Sequence, residues 1–164
     1  MRFTDFLPET CVLPELGSRD RSGVLREVSE ALGASTHLPP DWLLEQFEAR
    51  ERLCSTAVGH GLAIPHCRAE RLRKSVVCVA VRRDGADFGA RDGDAVRLFV
   101  AIASPVQPVS THLSLLARIA ALLRDPRLRE AVIAAPSAAH IRALFVRAED
   151  AYLAPQHLRH AQHA

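Results

Sequence analysis

The sequence is poor in aromatic residues and almost without lysine. Six phenylalanines, one tryptophan and one tyrosine leave most of the core to Val, Leu, Ile and Ala. Lys74 is the single lysine, so nearly all the positive charge is arginine, a bias that reflects codon composition and carries no functional reading. The net charge of +2 is too small to imply nucleic acid or an anionic membrane as partner. No two of Cys11, Cys54, Cys67 and Cys78 have CxxC spacing, and the opening Met1-Arg2-Phe3-Thr4-Asp5 has no apolar signal region. Free thiols in a reducing compartment are the expectation. The longest apolar runs, Val76–Val81 and Leu98–Ala103, are strand-length and far short of the ~20 residues a bilayer needs. These absences predict a cytoplasmic chain with no membrane insertion.

What is present is globular. Hydrophobic residues make up 48% of the 164 and charged residues 24%, enough for one sizeable core. Cys11-Val12-Leu13 reads as a short edge strand stopped by Pro14. Ser18-Arg19-Asp20 offers an N-cap for a helix carrying Val24, Leu25, Val28, Ala31 and Leu32, with Gly33 as its stop. A second helix starts at Pro39-Pro40-Asp41 and fades around 50–53. Leu62-Ala63-Ile64 is a short buried strand closed by Pro65-His66. Two continuous apolar strands follow, Ser75–Val81 and Val96–Ala103, with turns expected at Asp84-Gly85 and Asp92-Gly93-Asp94. Strands apolar on both faces demand a sheet covered on both sides.

Beyond Ser104-Pro105, Ser110 or Thr111 is read as the cap of a helix to Leu123, with Leu113, Leu116, Ile119, Ala120 and Leu123 inward. Asp125-Pro126 opens a short helix through Ile133, and Pro136-Ser137 another through about Glu149. The fold class expected is α/β: a three-layer α/β/α domain with a mixed β-sheet flanked by helices on both faces. The domain is taken as residues 1–150, with 151–164 a frayed C-terminal tail holding His157, His160 and His163.

The chemistry concentrates in residues 50–66. A histidine follows a buried strand and a proline that fixes the chain direction, in the kind of place where α/β folds bind ligands. Gly59 and Gly61 allow positive φ or close backbone approach around His60. Ser55 and Thr56 offer hydroxyls, and Arg50 a guanidinium that matches phosphate oxygens. Neutral imidazole is a nucleophile near pH 7, and phosphoryl transfer asks mainly for positioning and charge stabilisation. His112, after Ser110-Thr111 at a helix start, adds a second imidazole where backbone N–H groups favour an anion.

The string Ser55-Thr56-Ala57-Val58-Gly59-His60-Gly61-Leu62-Ala63-Ile64-Pro65-His66 resembles the signature of the fructose/mannitol-type enzyme IIA domains of the bacterial phosphotransferase system. The nitrogen-regulatory enzyme IIA proteins belong to the same group. Phe6-Leu7-Pro8-Glu9 is similar to the family's opening, and Thr111-His112-Leu113 with Leu116-Ala117 to its second-histidine helix, so the resemblance spans roughly residues 3–150. It implies that His66 accepts the phosphoryl group, that His112 supports it, and that Arg50 is the nearby arginine; the hydroxyls of Ser55 and Thr56 are read from residue type as further phosphate contacts. It implies the phosphorylated histidine phosphocarrier protein as donor, an enzyme IIB or a regulatory protein as downstream partner, and no metal or nucleotide cofactor. Cys54 and Cys67 depart from the pattern, where glycine is usual.

A chain without a fused carrier or transporter part favours the nitrogen-regulatory branch over a stand-alone fructose/mannitol-type enzyme IIA for sugar uptake. A competing class is a zinc-binding module using Cys54, His60, His66 and Cys67, whose spacings fit no common zinc pattern. A thiol enzyme built on Cys67 with His66 or His60 is the remaining alternative.

Overall fold

A computed structural model describes residues 1–154. Two 3₁₀ turns, Phe3–Phe6 and Glu9–Cys11, lead into β1 (Val12–Leu13), and then come α1 (Arg21–Thr36) and α2 (Pro40–Leu53). Three short strands follow: β2 (Ala57–Gly59), β3 (Leu62–Ala63) and β4 (His66–Arg68). The long strands β5 (Val76–Ala86) and β6 (Val96–Ser104) precede α3 (Val109–Leu123), α4 (Pro126–Ala134) and α5 (Ala138–Leu153).

The sheet is mixed, in the order β1-β5-β6-β3-β2, with β4 also on β6. β5 and β6 form its antiparallel centre; Val79 pairs with Val100 and Val76 with Ala103. β1 joins β5 in parallel, and β3 and β4 join the other edge of β6 in parallel. Helices α1 and α2 pack on each other and against β5 and β4, while α3, α4 and α5 pack together over β6, β5 and β1. The expected three-layer α/β/α architecture is thus present. Val76–Val81 and Leu98–Ala103 are buried throughout, as strands between two helical layers must be.

Several local expectations are corrected. Gly33 does not stop α1, which runs on to Thr36 and is capped by His37 in the left-handed region at φ 58°. A Cβ at Gly33 would lie 2.9 Å from the Leu38 carbonyl oxygen and 2.9 Å from Pro40 Cγ, so this glycine serves the close return of the chain into α2. Asp84-Gly85 is not a terminal turn: β5 carries it through a register irregularity between Val81 and Ala86. Neither Ser110 nor Thr111 caps α3; Pro108 holds the cap position with no side-chain bond. The inner stripe of α3 is His112, Leu115, Ile119, Leu122 and Leu123, whereas Leu113 is 57% exposed. Helix α5 continues through Leu153 instead of fraying from 151, and Arg118 of α3 lies over the Tyr152 ring at 4.7 Å. His157, His160 and His163 lie outside the described residues.

The arrangement that positions the site is a strand broken in the middle. β3 and β4 share one register on β6: Leu62 pairs with Leu98 and His66 with Ile102. Pro65, which has no N–H, sits at the break while its carbonyl still accepts from Ile102 N at 2.8 Å. His66 therefore opens β4 instead of lying beyond a finished strand.

Candidate functional site

The site forms where α2 ends, β4 begins and α3 starts. Helix α2 delivers Arg50 and Glu51 in its last turn, and the chain leaves at Cys54 in extended conformation. Glu51, only 4% exposed, folds back over this exit: its carboxylate accepts from Thr56 N at 2.8 Å and from Thr56 Oγ1 at 2.6 Å. Thr56 in turn presents its carbonyl to Ile64 N at 3.0 Å, and the Ile64 carbonyl accepts from His66 Nδ1 at 2.8 Å. Between these residues the chain reverses through Gly59, His60 and Gly61, with φ of 88°, 56° and 69°. His60 N is held by Asp92 Oδ2 at 3.2 Å. The two glycines suit three successive left-handed residues, conformations that side chains resist.

The His66 ring is fixed by chemistry as well as packing. A carbonyl oxygen only accepts, so the bond to Ile64 O places the proton on Nδ1 and the lone pair on Nε2. Arg50 Nε donates to that Nε2 at 3.1 Å, which requires the same tautomer. Arg50 Nη1 also donates to the Cys54 carbonyl at 2.8 Å, so one guanidinium spans the end of α2 and the imidazole. Burial lowers the His66 pKa below its ordinary value, and the Arg50 charge adds to the lowering; the Ile64 carbonyl and Glu51 oppose it. The ring is neutral at pH 7.

His112 faces His66 from the first turns of α3, with ring centroids 5.6 Å apart and planes at 52°. It is buried, and its Nδ1 lies 3.0 Å from Ser104 Oγ, at the end of β6. Burial first, then the charges of His66 and Arg68, pull its pKa down to about 4. Arg68 of β4 donates to the Val106 carbonyl in the loop before α3.

Among the expected site residues, the structure brings His66, His112 and Arg50 together. Ser55 is nearby, its Oγ accepting from Ala57 N at 3.2 Å. Thr56 directs both its amide and its hydroxyl proton to Glu51. Glu51, Ser104 and Arg68 escaped the sequence reading. His112 carried a usable signal, since 112, 115, 119 and 122 fall on one helical face. The zinc alternative does not assemble: among the described residues no three His, Cys, Asp or Glu side chains are placed to hold a metal ion. The thiol alternative fails on chemistry, because Cys67 is buried and its pKa is pushed up to about 12, leaving no thiolate at neutral pH.

Two neighbouring imidazoles, one with its Nε2 lone pair fixed in direction and met by a guanidinium N–H, are an arrangement that can supply a nucleophile and stabilise an anion. A family model described as phosphoenolpyruvate-dependent sugar phosphotransferase system, EIIA 2, matches residues 5–148. The chain belongs to this EIIA family. It is a phosphotransferase component that works through a phosphohistidine. Among its relatives, a nitrogen regulatory protein of Bradyrhizobium diazoefficiens is 34% identical over 125 residues, covering 76% of this chain and 82% of that one. The fructose-specific EIIABC component of Bacillus subtilis is 27% identical over 138 residues, covering 84% of this chain and 22% of that longer protein. The crystal structure of nitrogen regulatory protein IIA-Ntr from Neisseria meningitidis superposes with a TM-score of 0.82 at 26% identity, covering 87% of this chain and 97% of that one. No helix among the described residues of this EIIA chain is long and apolar enough to cross a membrane.

Proposed function

We propose that His66 Nε2 is the phosphoryl acceptor of this EIIA protein, taking the group from a phosphorylated histidine phosphocarrier protein. The observation that carries this is the pair of bonds on one ring. Ile64 holds the proton on Nδ1, and Arg50 marks the lone pair on Nε2. In the step, Nε2 attacks phosphorus in line, an N–P bond forms, and the donor's N–P bond breaks with its electron pair returning to the donor imidazole. His66 then carries the phosphoryl group on Nε2 and a proton on Nδ1, a cationic ring that the Ile64 carbonyl stabilises. Arg50 Nε must leave Nε2 for the attack, and its guanidinium then meets the phosphoryl oxygens that arrive there. His112 supplies a neutral donor on the opposite side, with Ser55 as a further contact, while Thr56 acts through its bond to Glu51.

The nitrogen-regulatory role is favoured over sugar uptake by the relative that is 34% identical and carries that name across 82% of its length. In that role the phosphorylation state is the signal, read by a regulatory partner. A fructose/mannitol-type role, with an enzyme IIB as acceptor, is the second reading, supported by the fructose-specific relative.

Incubation with the phosphocarrier, its upstream kinase and phosphoenolpyruvate should add one acid-labile phosphoryl group. His66→Ala should abolish it; retention of the full signal in that variant overturns the assignment. Deletion of the gene with normal sugar uptake and altered nitrogen response supports the regulatory role.

A further inference from the structure

Buried hydroxyls at the end of a sheet strand are unusual enough to ask what they do. Ser75 and Ser104 face each other across the β5–β6 pair at 6% and 1% exposure, with Oγ atoms 3.0 Å apart. Ser104 Oγ is also 3.0 Å from His112 Nδ1. Three polar groups thus form a file running from the residue before β5, through the end of β6, to the imidazole opposite His66.

The protons in this file can be counted. Each hydroxyl has one proton to give, and the ring has one proton on one of two nitrogens. In one direction Ser75 donates to Ser104, Ser104 gives its own proton to His112 Nδ1, and every bond in the file is made. That direction leaves the His112 proton on Nε2. The reverse direction, with His112 Nδ1–H donating to Ser104 and Ser104 to Ser75, pushes the Ser75 proton out of the file at a buried position. A third arrangement, with Ser104 accepting from both neighbours, strands the Ser104 proton at 1% exposure. Buried donors without acceptors are costly, and His112 Nε2 is not among the buried unpartnered atoms of the described residues, so the first direction wins.

We propose that Ser75 and Ser104 are positioning residues for phosphoryl transfer: they hold His112 as its Nε2–H tautomer, so that the ring presents a donor to the phosphoryl group on His66. This rests on the reading of His66 as acceptor. The two imidazoles then have opposite tautomers by construction. His66 is held by a carbonyl with Nδ1 protonated and Nε2 nucleophilic; His112 is held by a hydroxyl with Nδ1 accepting and Nε2 donating. A neutral donor of this kind stabilises the equatorial oxygens without a proton having to be gained or lost. The low His112 pKa is consistent with it, since the ring must work uncharged.

The test begins with the unphosphorylated protein. Nitrogen-15 NMR of the histidine rings should find His112 with Nδ1 unprotonated and Nε2 protonated, and Ser104→Ala should mix the two tautomers. A wild-type ring protonated on Nδ1 overturns the proposal whatever His66 does. Phosphorylation kinetics supply the second arm. Ser104→Ala should slow transfer roughly tenfold, the scale of one neutral hydrogen bond, with Ser104→Thr restoring most of the rate. Ser75→Ala should give a smaller loss. In His112→Gln, whose amide donates from the Nε2 position without a tautomer to choose, the further change Ser104→Ala should have little effect. An equal penalty in both backgrounds marks a merely structural serine and overturns the proposal. Failure of the acceptor reading is recognised separately, by phosphorylation that survives His66→Ala.

Discussion

Replacing Glu51 with alanine tests how the site is built. Its buried carboxylate accepts both the amide and the hydroxyl of Thr56, at 2.8 Å and 2.6 Å. Thr56 holds Ile64, and Ile64 holds the His66 ring, so one carboxylate stands at the head of a chain of bonds ending at the proposed nucleophile. Hydrogen bonds to a charged acceptor contribute about 1.5–3 kcal/mol each, and the two lost donors lie at a nearly buried residue. Relief from burying a carboxylate offsets part of this, leaving a net loss of about 3 kcal/mol. Against a total of about 5–15 kcal/mol for a domain, that is a large fraction but not unfolding. Urea denaturation with an unchanged slope should show a midpoint lower by ~1–3 M. Phosphorylation should slow as well, because the Ile64–His66 hold loosens. Glu51→Gln keeps one acceptor for the amide and should recover about half the loss. A loss below about 1 kcal/mol for the alanine variant, or identical effects for both, refutes the reasoning.

Other expectations follow from individual groups. His112 titrates near 4 when folded and near 6.5 when unfolded, so between those values the unfolded chain binds more protons. Stability should therefore fall as pH drops from 6.5 towards 4, and His112→Gln should flatten that part of the curve in thermal melts across pH. Gly33→Ala gains about 1 kcal/mol of helix propensity but drives a Cβ into the Leu38 carbonyl and Pro40 ring, both at 2.9 Å. A net destabilisation of ~1 kcal/mol in urea is expected; a stabilised variant contradicts the close approach. Alkylation of the native protein near pH 7.5 should mark Cys54, which is exposed, and spare Cys11, Cys67 and Cys78, which are buried. Mass spectrometry counting more than one adduct before unfolding contradicts that burial.

The layered fold was legible because its signals were local and redundant. Continuous apolar strands at 76–81 and 98–103 allowed no exposed sheet face, and Asp20 and Ser137 cap α1 and α5 through their own side chains. What the residues alone do not show depends on contacts made outside each element's own pattern. Gly33 looks like a helix stop until the returning chain at Leu38 and Pro40 explains it. Leu113 reads as core because it is leucine, yet the helix turns His112 inward instead, where Ser104 satisfies its Nδ1. Of the candidate site, His66, His112 and Arg50 could be named from residue type and order. That Thr56 serves Glu51, and that Pro65 interrupts a strand without ending it, depended on partners the sequence does not mark.

The nitrogen that carries phosphorus is the most direct test. With ring-labelled histidine, coupling between nitrogen-15 and phosphorus-31 in the phosphorylated protein should appear at Nε2 of His66, with Nδ1 still protonated. Coupling at Nδ1, or on any other residue, contradicts the account.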